Sequence, residues 1–330
     1  MITISDSTPI IEGKNKTNTP HSEDYQIFIM TVGVSYSGKS KWAHDTAQTL
    51  GNTTVVSSDA IRGELFGDDG DQTHNDKVFT EMFKRSVSAL QDGKNVIYDA
   101  TNLNGKKRTR LIKQLRYKFP NCTYNCAVFC TRITTLFERA QSRERKVPAY
   151  VVWRQLCSFQ VPLEYEGFDG VFTIHEADTF DIEQFSLIPM KHDCKHHNER
   201  VDEHMLLSYN YAKYYLNDNR TMLLDACRYH DIGKLLTKSF VDHNGDLTEY
   251  AHFYNHHSIG SYLILCSDLR KRADDKEYDL LELAWLVNHH MDFYLRKDGL
   301  EDFLKTVPAR LSEQLKILHT IDKFASVQSC

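Results

Sequence analysis

The run Gly33-Val34-Ser35-Tyr36-Ser37-Gly38-Lys39-Ser40 constrains the fold of this chain more than any other eight residues in it. Two glycines separated by four residues, then Lys and Ser, let backbone N–H groups converge on phosphate oxygens where a helix begins. The context gives the pattern its force: an apolar run, "YQIFIMTVG", precedes it and a helical pattern follows. Gly33 and Gly38 then shape the cradle, Lys39 reaches the β/γ-phosphates of ATP, and Ser40 holds Mg²⁺. Three further short apolar runs, "TTVVSS", "NVIYDA" and "CAVFC", alternate with helical periodicity over 77–90 and 106–118. Such alternation predicts an α/β domain, a parallel doubly wound sheet covered on both faces, with "GVFTIHE" (Gly170 to Glu176) as a last strand.

After about Leu187 the strands stop. "DEHMLLSYNYAKYYL", "TMLLDACRYHD", "HSIGSYLILCSDL", "YDLLELAWLVNHH" and "ARLSEQLKILHTIDKFA" all read as amphipathic helices, so the second half is expected to be all-α. Histidine usage changes at the same place: 12 of the 16 histidines lie after residue 190. At 330 residues two domains are the natural expectation. The division read from the sequence is a tail over 1–24, rich in Ser, Thr, Asn and Pro, a phosphate-loop domain over 25–180, and a helical domain over 187–330.

With 41% hydrophobic and 26% charged residues, no apolar run is long enough to cross a bilayer. No basic-then-apolar leader opens the chain, so a cytoplasmic setting is expected. Eight irregularly spaced cysteines are read as reduced thiols rather than a disulfide framework. A net charge of −5 excludes a globally basic nucleic-acid binder, so any polyanion must meet local basic clusters. "GKKRTRLIKQLRYK", with seven basic residues from Lys106 to Lys118, is such a cluster.

Chemistry-bearing residues stand at the expected C-terminal edge of the sheet. Asp59 could orient and deprotonate an attacking hydroxyl, and Arg62, one turn later, could bind an acceptor's phosphate. Asp99 could support the Mg²⁺ shell, while Thr101 and Asn102 shape the turn that follows. Arg139, Arg143, Arg145 and Lys146, ahead of Val147-Pro148, suit a lid over ATP. The order of phosphate loop, "D-x-x-R", "DATNLN" and arginine-rich segment resembles the kinase domain of bacteriophage polynucleotide 5′-kinases, over about Tyr25 to Asp169. That resemblance implies Asp59 as general base, Arg62 as ligand of the acceptor's 3′-side phosphate, and Arg143 as the lid arginine, with Arg139 beside it at the nucleotide. Tyr36, where a small residue is usual, departs from the family pattern. So does the lid spacing, a residue short, which leaves Arg143 and Arg145 interchangeable.

In the second half, His230-Asp231 ends an apolar helical run and can offer a nitrogen and a bridging carboxylate to one or two divalent cations. With His204, His256, His289, His290 and Asp322, and with "DIGK" completing the doublet, the series resembles the HD superfamily of metal-dependent phosphohydrolases, over about His196 to Ser326. The resemblance implies that His204, His230, Asp231 and Asp322 bind a primary metal. His256 and His289 or His290 complete a second site or bind the scissile phosphate, and Lys234 neutralises phosphate charge. Mn²⁺, Ni²⁺, Co²⁺ and Fe²⁺ suit such a site. "KHDCKHH" (His192, Cys194, His196, His197) is read as a loop leading into the domain, with His196 or His197 toward the substrate, rather than a zinc site.

Together these readings give an end-healing enzyme, with a 5′-hydroxyl kinase joined to a phosphohydrolase for a 3′-phosphate or 2′,3′-cyclic phosphate. RNA ends are expected more than DNA ends, with no membrane partner, a ligase acting downstream and oligomerisation open. The alternative is a nucleoside or nucleotide kinase joined to an HD nucleotidase. A non-catalytic sensor is disfavoured because structural ATP binding needs no acceptor-side base.

Overall fold

The computed structural model describes residues 25–142, 147–176, 178–194, 198–216, 221–276, 278–296 and 298–327. Its first half is a five-stranded sheet of β1 (Ile27–Val32), β2 (Thr53–Ser57), β3 (Asn95–Asp99), β4 (Thr123–Cys130) and β5 (Gly170–His175). The strand order is β2-β3-β1-β4-β5 and every pairing is parallel. Six helices connect the strands: α1 (Lys39–Leu50), α2 (Ser58–Phe66), α3 (Asn75–Gln91), α4 (Gly105–Lys118), α5 (Ile133–Ser142) and α6 (Ala149–Cys157). The chain leaves β1 toward β2 on one side and returns to β4 on the other. The crevice for a ligand therefore opens at the C-terminal end of β1, where the phosphate loop lies.

Alternation along β1 divides the core. Ile29 packs with Ile97, Ala127, Phe129 and Ala43 under α1, while Phe28, Met30 and Val32 face the opposite layer. That second layer does not end at the sheet. It runs on without a break into the buried residues of the C-terminal half.

After α7 (Ile182–Ser186) that half contains α8 (Val201–Tyr215), α9 (Thr221–Tyr229) and α10 (Lys234–Thr237). It continues with α11 (His256–Cys266), α12 (Leu269–Lys276), α13 (Leu280–His289), α14 (Asp292–Leu295), α15 (Leu300–Thr306) and α16 (Ala309–Val327). It is helical as expected, with one correction. Strands do not stop at Leu187: β6 (Lys238–Val241) and β7 (Leu247–Phe253) form an antiparallel hairpin. The cause is local, in "DHNGD". Asp242 accepts the backbone N–H groups of Asn244 (2.8 Å) and Asp246 (3.0 Å), and Gly245 takes a φ of 91° that closes the turn.

The halves are joined by polar and aromatic contacts within the shared core. Tyr262 of α11 donates its hydroxyl to the Thr131 carbonyl just past β4 (2.9 Å). Asn288 donates to the Phe159 carbonyl (3.0 Å), and Trp285 donates its indole N–H to the Tyr165 hydroxyl (3.0 Å). Rings of Phe159 and Tyr262 meet edge to face at 5.1 Å.

Candidate active sites

The phosphate loop is built by close backbone approach. A Cβ on Gly33 would stand 2.9 Å from Ser37 Oγ and 3.0 Å from Phe129 Cβ, so a side chain there would push Ser37 and Phe129 aside. Gly38, with φ 92°, caps α1 in the left-handed region that glycine adopts without strain. Lys39 is buried and its Nζ donates to the Val34 carbonyl (2.7 Å), while Ser40 is exposed at the first turn of α1. Tyr36 is a left-handed non-glycine residue, φ 70°, in a region that costs a bulky side chain free energy. Its compensation is visible: the ring is buried and its hydroxyl reaches the Val147 backbone, at the foot of α6.

Around the loop, Asp99 is buried at the end of β3, 3.5 Å from the Thr31 hydroxyl. Asn102 shapes the turn as expected, its side chain donating to the Thr31 carbonyl (2.8 Å), and the Thr101 carbonyl accepts from Gly33 N–H (3.1 Å). Asp59 lies at the start of α2 with its carboxylate 58% exposed, whereas Arg62 is buried. The structure brings the two together: Arg62 Nη1 donates to Asp59 Oδ1 (2.8 Å), and its Nη2 donates to Asn75 (2.9 Å). Arg139 sits against the loop itself, donating to the Tyr36 carbonyl (3.1 Å) and pairing with Glu176 (2.7 Å). Arg143, Arg145 and Lys146 lie outside the described residues.

In the helical half, four histidines and two aspartates converge from α8, the turn after α9, α11, the C-terminal cap of α13 and α16. His204 Nε2 lies 3.2 Å from His230 Nε2 and 3.0 Å from Asp322 Oδ1. His256 Nε2 lies 3.1 Å from His290 Nε2. Asp231 stands between the pairs. Its Oδ2 faces His230 (3.5 Å) and His204 (3.6 Å), and its Oδ1 faces His256 (3.2 Å) and His290 (3.6 Å). Two ligand groups, His204-His230-Asp231 and Asp231-His256-His290, thus share one carboxylate.

The donor set fits divalent metals on its own chemistry. His230, His256 and His290 direct Nδ1 to the carbonyls of Cys227 (3.0 Å), Phe253 (2.8 Å) and Val287 (2.7 Å), and His204 directs Nδ1 to Glu199 (3.2 Å). If each Nδ1 carries the proton, each Nε2 offers a lone pair to the centre, the usual arrangement of ligating imidazoles. Nitrogens facing each other at such distances need a cation or a proton between them. Burial opposes a charge on His204, yet Asp322 and Glu199 beside it push its pKa up to about 9. Burial likewise opposes ionisation of Asp231, but Lys234 and His230 hold it well below the usual carboxylate range. The pocket stabilises positive charge.

Of the two candidates at 289 and 290, the structure selects His290 and removes His289 from the cluster. His289 turns away, its Nδ1 paired with Asp292 Oδ2 (2.7 Å) and its ring against Trp285 and Phe303. Successive residues on a helix point roughly 100° apart, so one face of α13 cannot present both. Lys234 pairs with Asp231 Oδ2 at 2.6 Å. Sequence reasoning missed Glu199, which backs His204, and read His192 only as part of a leading loop. The latter is buried, with Nε2 3.3 Å from Lys234 Nζ and its ring 5.9 Å from that of His204. Neither has a periodic signature, because both lie on the irregular segment before α8. His196 and His197 lie outside the described residues.

The Gly233 backbone explains how the turn between α9 and α10 approaches α11 so closely. A Cβ there would lie 2.0 Å from the His256 carbonyl oxygen and 2.6 Å from Gly260 N. The "DIGK" and His256-x-x-x-Gly260 patterns are therefore two sides of one contact, which sets Asp231 opposite His256.

Residues 28–162 match the family model of the AAA domain, and residues 201–326 match that of the HD domain. No curated protein matches the sequence. Among solved structures, a chain of the Pnkp1/Rnl/Hen1 RNA repair complex is 19% identical, with a TM-score of 0.36 over 43% of this chain and 46% of that one. A fungal RNA kinase is 12% identical, with a TM-score of 0.37 over 66% of this chain and 98% of its own. A gluconokinase from Sinorhizobium meliloti is 18% identical, with a TM-score of 0.34 over 47% and 86%. The chain thus spans less than half the length of the repair-complex chain. At these TM-scores the likenesses decide neither substrate nor reaction.

Proposed function

We infer that this chain, an AAA domain joined to an HD domain, is a bifunctional enzyme that heals nucleic-acid ends. One half would phosphorylate a 5′-hydroxyl from ATP, and the other would remove a 3′-phosphate or a 2′,3′-cyclic phosphate. The observation that carries this reading is a pairing in one chain. An Asp59–Arg62 couple opens the helix after β2 in a domain with a phosphate cradle, and a buried His/Asp cluster shares one carboxylate. Acting on opposite termini of a break, the two activities do not cancel. The cyclic ester needs a 2′-hydroxyl, so RNA is the favoured substrate, and a ligase would use the healed ends.

At the kinase site the exposed carboxylate of Asp59 takes the proton of the incoming hydroxyl as it attacks the γ-phosphate in line. Arg62 fixes Asp59 and stands where an acceptor's 3′-side phosphate would arrive. Lys39 exchanges its hold on the Val34 carbonyl for the β/γ-oxygens, the loop amides cradle them, and Ser40 with Asp99 would hold Mg²⁺. Arg139 braces the loop, and Arg143 is assigned the lid. At the second site His204, His230, Asp231 and Asp322 would hold one cation, and Asp231, His256 and His290 another. Mn²⁺, Ni²⁺, Co²⁺ and Fe²⁺ suit imidazole and carboxylate donors. A cation held there supplies Lewis acidity and an acidified water. Lys234 places a further positive charge at the edge of the cluster.

The test is one RNA oligonucleotide bearing a 5′-hydroxyl and a 2′,3′-cyclic phosphate, incubated with ATP, Mg²⁺ and Mn²⁺ and read by mass at both ends. Gain of a 5′-phosphate with loss of the terminal 3′ phosphate is expected. An untouched oligonucleotide, with phosphate transferred to free nucleosides instead, would assign the chain to small-molecule chemistry. Asp59→Asn should keep ATP binding and lower transfer by roughly 10²–10⁴-fold; an unchanged rate removes Asp59 from the mechanism.

A further inference from the structure

The seven basic residues of α4 divide into two sets. Arg108 is buried in a bidentate pair with Glu166 (2.6 and 2.7 Å), and Arg116 pairs with Asp169 (2.6 Å). Lys106, Lys107, Arg110, Lys113 and Lys118 are exposed, and none has an acidic partner among the described residues. Lys106, Arg110, Lys113 and Tyr117 fall at i, i+4, i+7 and i+11, a single stripe along the helix roughly 16 Å long. Tyr117 is 90% exposed, so packing does not account for it.

This stripe is one wall of a groove of about 1160 Å³ whose other wall belongs to the helical half, with His289, Arg296 and Phe303. The acids on its rim are already paired, Glu166 with Arg108 and Asp302 with Lys305 (3.0 Å). The groove therefore carries uncompensated positive charge in a chain whose net charge is −5. In the sequence its walls adjoin both sites. Lys106 follows the turn that leaves Asp99, and His289 is the neighbour of His290. A basic track with aromatic rings is what a single strand requires, phosphates on the cations and bases on the rings.

We propose that this groove is a track for a single-stranded polynucleotide lying across both halves of the chain. Its phosphates run along Lys106, Arg110 and Lys113, and a base stacks on Tyr117. The proposal rests on the end-healing reading for the identity of the ligand and adds to it a binding surface away from the reacting atoms.

The test is anisotropy of an internally labelled RNA dodecamer with a 5′-phosphate and a 3′-hydroxyl, ends that neither site consumes, titrated with the full-length protein at rising salt. Arg110→Glu/Lys113→Glu should weaken binding at least roughly tenfold and reduce the salt slope by about 2. Tyr117→Ala should weaken it by about tenfold with the slope unchanged. Hydrolysis of a nucleoside 2′,3′-cyclic phosphate, too short to lie in the groove, should be the same in every variant. If the wild type binds the dodecamer and the variants bind it equally well, the groove is overturned and the end-healing reading stands. Binding that the variants lose, in a wild type without end chemistry, supports the groove and overturns the end-healing reading. A wild type that binds no RNA overturns the groove. So does one that binds a polyaspartate peptide as tightly, which would assign an acidic protein partner.

Discussion

At the scale of single residues, the His289-His290 doublet separates two jobs that lie one peptide bond apart. His290 aims Nε2 at His256 and Asp231, while His289 is held by Asp292 and ring contacts. His290→Ala should reduce the bound metal, measured by elemental analysis of Mn²⁺-loaded protein, from two ions to one. Hydrolysis should fall by roughly 100-fold or more. His289→Ala should keep both ions. Equal metal content in the two variants would remove the second ligand group. The spacing of His204, His230, Asp231, His256 and Asp322 was legible in the sequence because each residue type already names a donor. Which member of the doublet faces inward was not, since either neighbour could lie on the buried face of α13. Glu199 was illegible for a different reason: a carboxylate that orients a ligand has no motif of its own.

At the scale of elements, the meeting of the turn before α10 with α11 depends on an atom that is missing. The overlap that a Gly233 Cβ would make with the His256 carbonyl cannot be relieved by a side-chain rotation, because the obstacle is backbone. Gly233→Ala should cost about 3 kcal/mol in urea unfolding and lower hydrolysis, by displacing His256 from Asp231. Unchanged stability would mean that the turn and α11 separate freely. The strands and helices of the sheet were readable because apolar runs and helical periodicity differ in period. The β6–β7 hairpin escaped because only Ala251 of β7 is buried and the strand lacks a clean alternation. Only Asn244-Gly245 marked its turn. At the loop, Tyr36 was legible as an oddity, but its partner at Val147 depends on a contact spanning 111 residues.

At the scale of the whole molecule, the Arg108–Glu166 pair joins α4 to the segment that Tyr165 and Trp285 lock to the helical half. Both groups are almost fully buried, so removing one leaves a charge that water cannot reach. Arg108→Ala should cost about 3–5 kcal/mol in thermal or urea unfolding, while Arg108→Met with Glu166→Leu should recover most of it. A loss under about 1 kcal/mol would show that water already reaches the pair. The join between the halves was not legible, since a residue buried by the other half looks in sequence like one buried by its own. Point changes should still act locally: Asp231→Ala is expected to abolish hydrolysis and leave phosphoryl transfer intact. Dissection is another matter. With Phe159 and Tyr262 in one continuous core, a cut between α7 and α8 would strip each fragment of part of its interior. Expressed separately, the fragments should be insoluble or aggregate on a sizing column; expressed together, they should pair and recover both activities. Two active sites would then share one interior, each half completing the other.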